Sequence, residues 1–230
     1  MQDAISELER YVRETYDPDG IVLTGSLVRG EGGPTSDLDV VVVHRCPWRL
    51  REQRRFAGVP SELFVNPPQA IRRYFASEHA AARPCMAHML VTGRVLGRAE
   101  AVVAELVSEA RDWLARPPPA LSRDPLRYHA VDLLDDARDV HGLDPAAELQ
   151  LLSGAVERIV EYAFRVRGRT LPRRKAAVAA LAELDPLAAD GVRSFAAAAP
   201  PDRLAAVEAL ALHVLGVDTF FSWRSPPDPA

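Results

Sequence analysis

Two carboxylates lie one residue apart at the start of an apolar run. Asp37 and Asp39 flank Leu38, and the run continues to Val43. Because side chains alternate across a strand, both carboxylates project from the same face. Adjacent carboxylates repel each other unless a cation lies between them, and hard oxygen ligands suit Mg²⁺ bound together with phosphates. We therefore expect Asp37 and Asp39 to be metal ligands.

A Gly-Ser turn precedes the acidic pair and follows a short apolar run. Gly25 allows a phosphate to approach the backbone closely, and Ser26 can donate a hydrogen bond to it. Arg29 can pair with the same phosphates or with Glu31 at the surface. Ser36 can bond a phosphate or cap its own turn. This segment is therefore expected to bind a nucleoside triphosphate.

Gly25-Ser26 followed by Asp37-Leu38-Asp39 resembles the signature of the polymerase-β-like nucleotidyltransferase superfamily. The extended form, residues 25–30 with residues 36–39, is similar to the stand-alone branch that includes aminoglycoside adenylyltransferases and minimal nucleotidyltransferases. The resemblance implies a Mg²⁺-dependent enzyme that transfers a nucleoside monophosphate to a hydroxyl group. ATP is the first expected donor, and AMP the group transferred.

A third acid is expected on a strand after the acidic pair, as in members of that superfamily. Glu62, within the apolar segment Ser61–Val65, matches this place. It shares a strand face with Phe64, where a carboxylate is costly without a cation. The resemblance implies a metal ligand or a general base at Glu62. Glu78, near the end of a predicted helix, is the competing candidate.

A basic cluster stands at a predicted helix start in the second half of the chain. Lys175, the only lysine, follows Pro172, Arg173 and Arg174. Cations in a first helical turn oppose the helix dipole, which favours a bound anion such as a triphosphate. The segment also resembles a Pro-Arg/Lys-x-Lys element of some stand-alone family members. The alternative is a solvated basic turn.

Two glutamates on the predicted helix 145–167 could deprotonate an acceptor hydroxyl. Glu157 is the preferred base, because Glu161 can pair with Arg165 four residues later. The alternative interpretation is ordinary pairing on the helix surface.

The predicted helix 124–141 carries four aspartates on one face. This face could hold a polycationic, hydroxyl-bearing acceptor such as an aminoglycoside, which would make the protein an antibiotic-resistance enzyme. The blander and favoured interpretation is a solvated face relieved by Arg138 and neighbouring helices. The four residues are Asp132, Asp135, Asp136 and Asp139.

Composition narrows the class of protein. The chain has 230 residues and a net charge of −4, which disfavours a nucleic-acid partner. It has no apolar run long enough to span a membrane and no secretory pattern at its start. Cys46 and Cys85 form no disulfide framework, so reduced thiols and a cytoplasmic location are expected.

The periodicity predicts an α/β (α+β) architecture in which a small mixed-sheet nucleotidyltransferase domain, 1–98, precedes an all-helical acceptor-binding domain, 99–230. The alanine-rich surface of these helices is compatible with a homodimer. The tail 225–230 is expected to fray. The predicted helices are 2–16, 47–56, 71–77, 86–92, 99–115, 124–141, 145–167, 173–183 and 202–222. The predicted strands are 21–23, 38–43, 61–65 and 94–96.

Two other functions are compatible with the same motif. One is a protein-modifying adenylyltransferase of the antitoxin type. The other is a nucleotide-binding regulator that keeps the fold without turnover.

Overall fold

The computed structural model describes residues 1–33, 35–225 and 227. The chain divides into two compact units, Met1–Pro117 and Pro118–Ala230. The sequence placed the division after residue 98, whereas the first unit extends further because the helix Ala101–Ala115 buries Leu106 and Ala110 in its core. The functions assigned to the two halves stay predictions.

In its described residues, the first unit combines a sheet with four helices. The strands are β1 (Gly20–Thr24), β2 (Leu38–Val43), β3 (Leu50–Phe56), β4 (Val59–Asn66) and β5 (Arg94–Leu96). The helices are α1 (Gln2–Tyr16), α2 (Pro68–Ala80), α3 (Cys85–Thr92) and α4 (Ala101–Ala115).

The sheet is mixed, as predicted, with the strand order β3-β4-β2-β1-β5. β2 and β4 run parallel, and the other neighbouring pairs are antiparallel. Helix α1 covers one face, where Leu8 packs with Val40. Helices α2, α3 and α4 cover the other face, where Phe75 packs with Val41. β2 is therefore apolar beyond Asp39 because both of its faces are covered.

The predicted helix 47–56 is wrong, because Leu50–Phe56 forms the edge strand β3. Its Arg, Glu and Gln residues have high helix propensity, yet here they keep a charged strand at the sheet edge. Ala57 and Gly58 both have positive φ angles, 43° and 81°, and turn the chain directly back into β4. Pairing with β4 therefore outweighs local helix propensity.

The second unit is helical. It contains α5 (Arg123–Val140), α6 (Pro145–Arg165), α7 (Ala177–Leu184), α8 (Pro186–Ala197) and α9 (Arg203–Leu215), with short 3₁₀ turns at Arg174–Ala176 and Pro200–Asp202.

Helices of the second unit differ from those predicted. Helix α7 begins at Ala177, after the 3₁₀ turn Arg174–Ala176, and not at residue 173. Helix α8 was not predicted; Asp185 begins it by accepting the Ala188 N–H at 3.0 Å. Helix α9 ends at Leu215, where Gly216 (φ 73°) follows it as the C-cap, rather than at residue 222. Most of the predicted frayed tail, 226 and 228–230, lies outside the described residues. In the described part of the chain, no helix combines the length and the apolarity needed to cross a membrane.

Candidate functional site

Strand register assembles the candidate site as a row across the sheet. Asp39 on β2 is the register partner of Thr24 on β1 and of Glu62 on β4, and Glu62 is in turn opposite Gln53 on β3. Asp37 precedes β2 and projects to the same face as Asp39. Two carboxylates that are far apart in sequence therefore meet because their strands are adjacent.

Three carboxylates converge at this row. One oxygen from each of Asp37, Asp39 and Glu62 lies within 4.8 Å of the other two, and all three residues are partly buried. Beside them, the Thr24 hydroxyl is buried and, among the described residues, has no hydrogen-bond partner. A set of close, partly desolvated hard oxygens fits a divalent cation such as Mg²⁺.

The positive charge near the cluster does not balance its carboxylates. Burial raises the pKa of Asp39 to about 6, and the neighbouring Asp37 and Glu62 carboxylates add to the rise, against a smaller opposing effect of Arg29 and Arg51. The folded protein therefore holds Asp39 in an environment that disfavours its ionised form. A bound cation would reverse this preference.

Gly25 is required where the Gly-Ser turn meets the acids. Its φ angle is 93°, in the region that L side chains rarely adopt. A Cβ atom at this position would overlap the Asp39 carboxylate. The backbone of the turn therefore passes directly against a candidate metal ligand.

Hydrogen bonds connect the turn to the segment before Asp37. Ser26 is buried, and its hydroxyl donates to Ser36 Oγ at 3.2 Å. Ser36 Oγ also accepts the Gly33 N–H at 2.8 Å, so Ser36 caps its own turn. Arg29 pairs with Glu31 at 3.1 Å, the surface alternative considered above. Phosphate contacts by Ser26, Arg29 and Ser36 stay predictions.

The sequence did not identify Arg51 as a site residue, because β3 was predicted to be helical. Arg51 Nε lies 3.1 Å from Glu62 Oε1, and its guanidinium lies 4.4 Å from the centre of the Phe64 ring. Gln53 Nε2 is 3.5 Å from the same Glu62 oxygen. The signal that could have revealed this neighbour is the Ala57-Gly58 turn before β4.

Glu78, the competing acid, lies outside the cluster. Its Oε2 accepts the Met86 N–H at 2.7 Å, at the beginning of α3. Burial raises the pKa of Glu78, and hydrogen bonds from the backbone of Met86 and Cys85 oppose that rise. Glu78 therefore accepts a hydrogen bond from the first turn of α3, where backbone N–H groups lack partners within the helix.

The remaining predicted site residues belong to the helical unit. Glu157 is exposed on α6, and Lys175 is exposed in the 3₁₀ turn before α7. Glu161 pairs with Arg158 at 3.2 Å, not with Arg165 as expected. Arg165 is buried instead, with Nε and Nη2 lacking partners among the described residues. No observation assigns a catalytic role to Glu157 or Lys175.

The acidic face of α5 is partly neutralised. Arg138 bonds Asp135 on its own helix, Glu208 on α9 at 2.8 Å and Asp218 at 3.4 Å. The other three aspartates of the face, Asp132, Asp136 and Asp139, are exposed. Arg138 therefore neutralises one of the four aspartates, as the interpretation of a solvated face expected, and the other three are exposed.

Comparisons with known proteins agree with this geometry. Residues 5–82 match the family model described as a nucleotidyltransferase domain, and this segment contains Gly25 and all three clustered acids. A nucleotidyltransferase-like protein from Exiguobacterium sibiricum 255-15 has a similar fold. It is 13% identical, with a TM-score of 0.56, over 94% of this chain and 74% of that chain. No curated protein matches the chain. The enzyme class predicted from the motif, a nucleotidyltransferase, is confirmed.

Proposed function

From the premise that residues 5–82 form a nucleotidyltransferase domain of the polymerase-β-like superfamily, we propose a Mg²⁺-dependent enzyme that transfers AMP from ATP to a hydroxyl group of a small molecule. The supporting observation is the convergence of Asp37, Asp39 and Glu62 within 4.8 Å beside the Gly25 turn. Catalysis of phosphoryl transfer depends mainly on positioning the phosphates and on stabilising the charge that develops on them, and a site of this kind can supply both.

In this proposal the three acids hold the metal, which supplies Lewis-acid stabilisation of the reacting phosphate when bound. The acceptor oxygen bonds to the α-phosphorus as the bond from that phosphorus to the bridging oxygen breaks, and pyrophosphate leaves. Backbone N–H groups at Gly25 and the Ser26 hydroxyl orient the phosphates through hydrogen bonds. Arg29 leaves Glu31 and pairs with the phosphates, whose negative charge it offsets. Ser36 holds Ser26 in place.

Two residues of the helical unit complete the proposal. Glu157 takes the proton of the acceptor hydroxyl, and Lys175 contacts the departing phosphates. Exposure leaves both side chains accessible. Variants Glu157→Gln and Lys175→Met test these roles, with Glu161→Gln as the control because Glu161 already pairs with Arg158.

An aminoglycoside is the first acceptor to test, since three exposed aspartates remain on α5. Antibiotic resistance would follow from such an activity. The unpaired Cys46 and Cys85 suit a reducing, cytoplasmic compartment, and the net charge of −4 disfavours nucleic acid. A homodimer is retained as the oligomeric state to test.

The experiment is a transfer assay with the full chain. ATP labelled at the α-phosphate is incubated with Mg²⁺ and a panel of hydroxyl-bearing compounds that includes aminoglycosides, and labelled products are identified by mass. Product formed by the wild type and absent with Asp39→Asn supports the proposal. Nucleotide binding without product for any acceptor would indicate a regulator, and labelled protein would indicate a protein-modifying enzyme.

A further inference from the structure

A cavity of about 590 Å³ lies in the first unit, and strands β3 and β4 contribute to its lining. Its lining includes Arg51 and Phe64, and Phe64 follows Glu62 by two residues on β4, so both project from the same sheet face. The cavity therefore begins about 7 Å along the strand from a candidate metal ligand. Its volume is in the range of small-molecule sites.

The walls of the cavity combine apolar surfaces with positive charge. The Arg51 guanidinium lies over the Phe64 ring, and that of Arg49 lies 5.5 Å from the centre of the Tyr74 ring and also bonds the Tyr74 hydroxyl. Met86 and Met89 add flexible apolar surface.

The negatively charged group in the same walls already accepts hydrogen bonds from the backbone. Of the described residues that line the cavity, Glu78 is the one acid, and backbone N–H groups of α3 hold its carboxylate. Two guanidinium groups facing one engaged carboxylate attract an anion and repel a polyamine.

Arg51 joins the cavity to the acid cluster. Its Nε lies 3.1 Å from Glu62 Oε1, where it offsets part of the negative charge. A divalent cation held by Glu62 would compete for the same carboxylate and repel the guanidinium. Once displaced, Arg51 still has the Phe64 ring and the cavity beside it, where its forked donors suit a carboxylate or a phosphate group.

We infer that this cavity binds an acceptor with an apolar body and an anionic group, and that Arg51 recognises that group when the metal is bound. The inference rests on the proposed transfer of AMP to a hydroxyl group, and for this cavity it favours an anionic acceptor over the polycationic aminoglycoside suggested by the aspartates of α5. It assigns to Arg51 a specificity-determining role, because its charge selects among hydroxyl compounds of similar shape.

Three probes with one phenolic ring and different charges test the inference: 4-hydroxyphenylacetate, 4-hydroxyphenylethanol and 4-hydroxyphenethylamine. Their affinities for the full chain are measured by ligand-observed NMR with Mg²⁺ and a non-hydrolysable ATP analogue, and again without Mg²⁺. We expect the carboxylate to bind roughly tenfold more tightly than the amine with Mg²⁺, as for a charge-assisted bidentate contact. The preference should shrink without Mg²⁺, because Arg51 then pairs with Glu62.

Arg51→Met should remove the preference while keeping apolar contact with Phe64. Arg51→Lys should retain it in part, since the charge remains but the fork is lost. Arg98→Met, at a highly exposed arginine that does not line the cavity, is the matched control and should leave the preference intact. Arg51 lies on an exposed edge strand, so thermal melting should show that all three variants remain folded.

Equal binding of the three probes, tighter binding of the amine, no binding of any probe, or an unchanged preference in Arg51→Met would overturn the inference. Binding of the ATP analogue with Mg²⁺ is recorded in the same samples. If that binding is intact while the charge preference is absent, only this inference fails. If the analogue does not bind to the wild type, the proposed function fails as well.

Discussion

Asp39 and Glu62 face each other as register partners across β2 and β4, the parallel strand pair of the described sheet. A shift of either strand by one residue would turn its carboxylate to the opposite face. The contact between these acids is therefore fixed by the apolar residues that follow them on each strand. The sheet holds together two like charges that would otherwise separate.

Asp39→Asn should stabilise the metal-free protein near neutral pH. The folded-state pKa of Asp39 is raised to about 6 from 3.8. A raised carboxyl pKa means that stability falls as pH rises from the unfolded to the folded pKa, and the loss is complete above about pH 6. We expect the variant to gain about 1 kcal/mol of unfolding free energy near neutral pH in EDTA, and almost nothing near pH 4.

Denaturant unfolding at the two pH values measures this difference. Glu14→Gln, at an exposed acid on α1, is the control and should show no such pH dependence. An Asp39→Asn protein that is less stable than the wild type near neutral pH would contradict the account.

Metal affinity should fall as pH decreases through the pKa of Asp39. Protonation removes a ligand, so Mn²⁺ affinity should be roughly tenfold weaker about one unit below pH 6 than well above it. Titration of Mn²⁺ followed by electron paramagnetic resonance, without nucleotide, gives the affinity at each pH. A constant affinity across this range would show that Asp39 does not bind the metal.

Gly25→Ala should abolish nucleotide binding, because the added Cβ atom overlaps the Asp39 carboxylate and displaces it. Gly30→Ala is a matched control: Gly30 also has a positive φ angle, 73°, but its added Cβ atom meets no atom within 4 Å. Both variants should lose about 1 kcal/mol of stability from backbone strain. Calorimetric titration of ATP with Mg²⁺ should therefore separate the two, and equal binding would argue against a nucleotide at this turn.

Arg51→Met should strengthen metal binding in the absence of acceptor. The guanidinium lies 3.1 Å from Glu62 and competes with a cation for that carboxylate. We expect a roughly threefold gain in Mn²⁺ affinity, a modest effect because the Arg51 side chain is largely exposed and its charge is screened. Weaker binding by the variant would show that Arg51 positions Glu62 for the metal instead of competing with it.

The acidic site was largely predictable from sequence because its signals are local. β2 was predicted with its observed bounds, since Asp39 is followed by four valines that only a doubly covered strand would contain. Glu62 was selected because the resemblance implies a third acid on a strand after the Asp pair, and Glu62 matches that place. Alternation along single strands was enough to put Asp37 and Asp39 on one face.

Features that depend on tertiary partners were not predictable in this way. β3 has the composition of a helix and becomes a strand only by pairing with β4, so Arg51 was missed together with its contact to Glu62. Glu161 has two arginines within helical reach, and the burial of Arg165 leaves Arg158 as its partner. Tertiary packing determines which strand and which ion-pair partner are used, and a local sequence pattern carries no information on tertiary packing.

The most direct test of the central claim is calorimetric titration of ATP into the wild type and Asp39→Asn, each with and without Mg²⁺. The account predicts Mg²⁺-dependent binding to the wild type and its loss in the variant, which keeps its fold. Binding that is unchanged by removing Mg²⁺ or by the substitution would contradict the assignment of Asp37, Asp39 and Glu62 as the metal site.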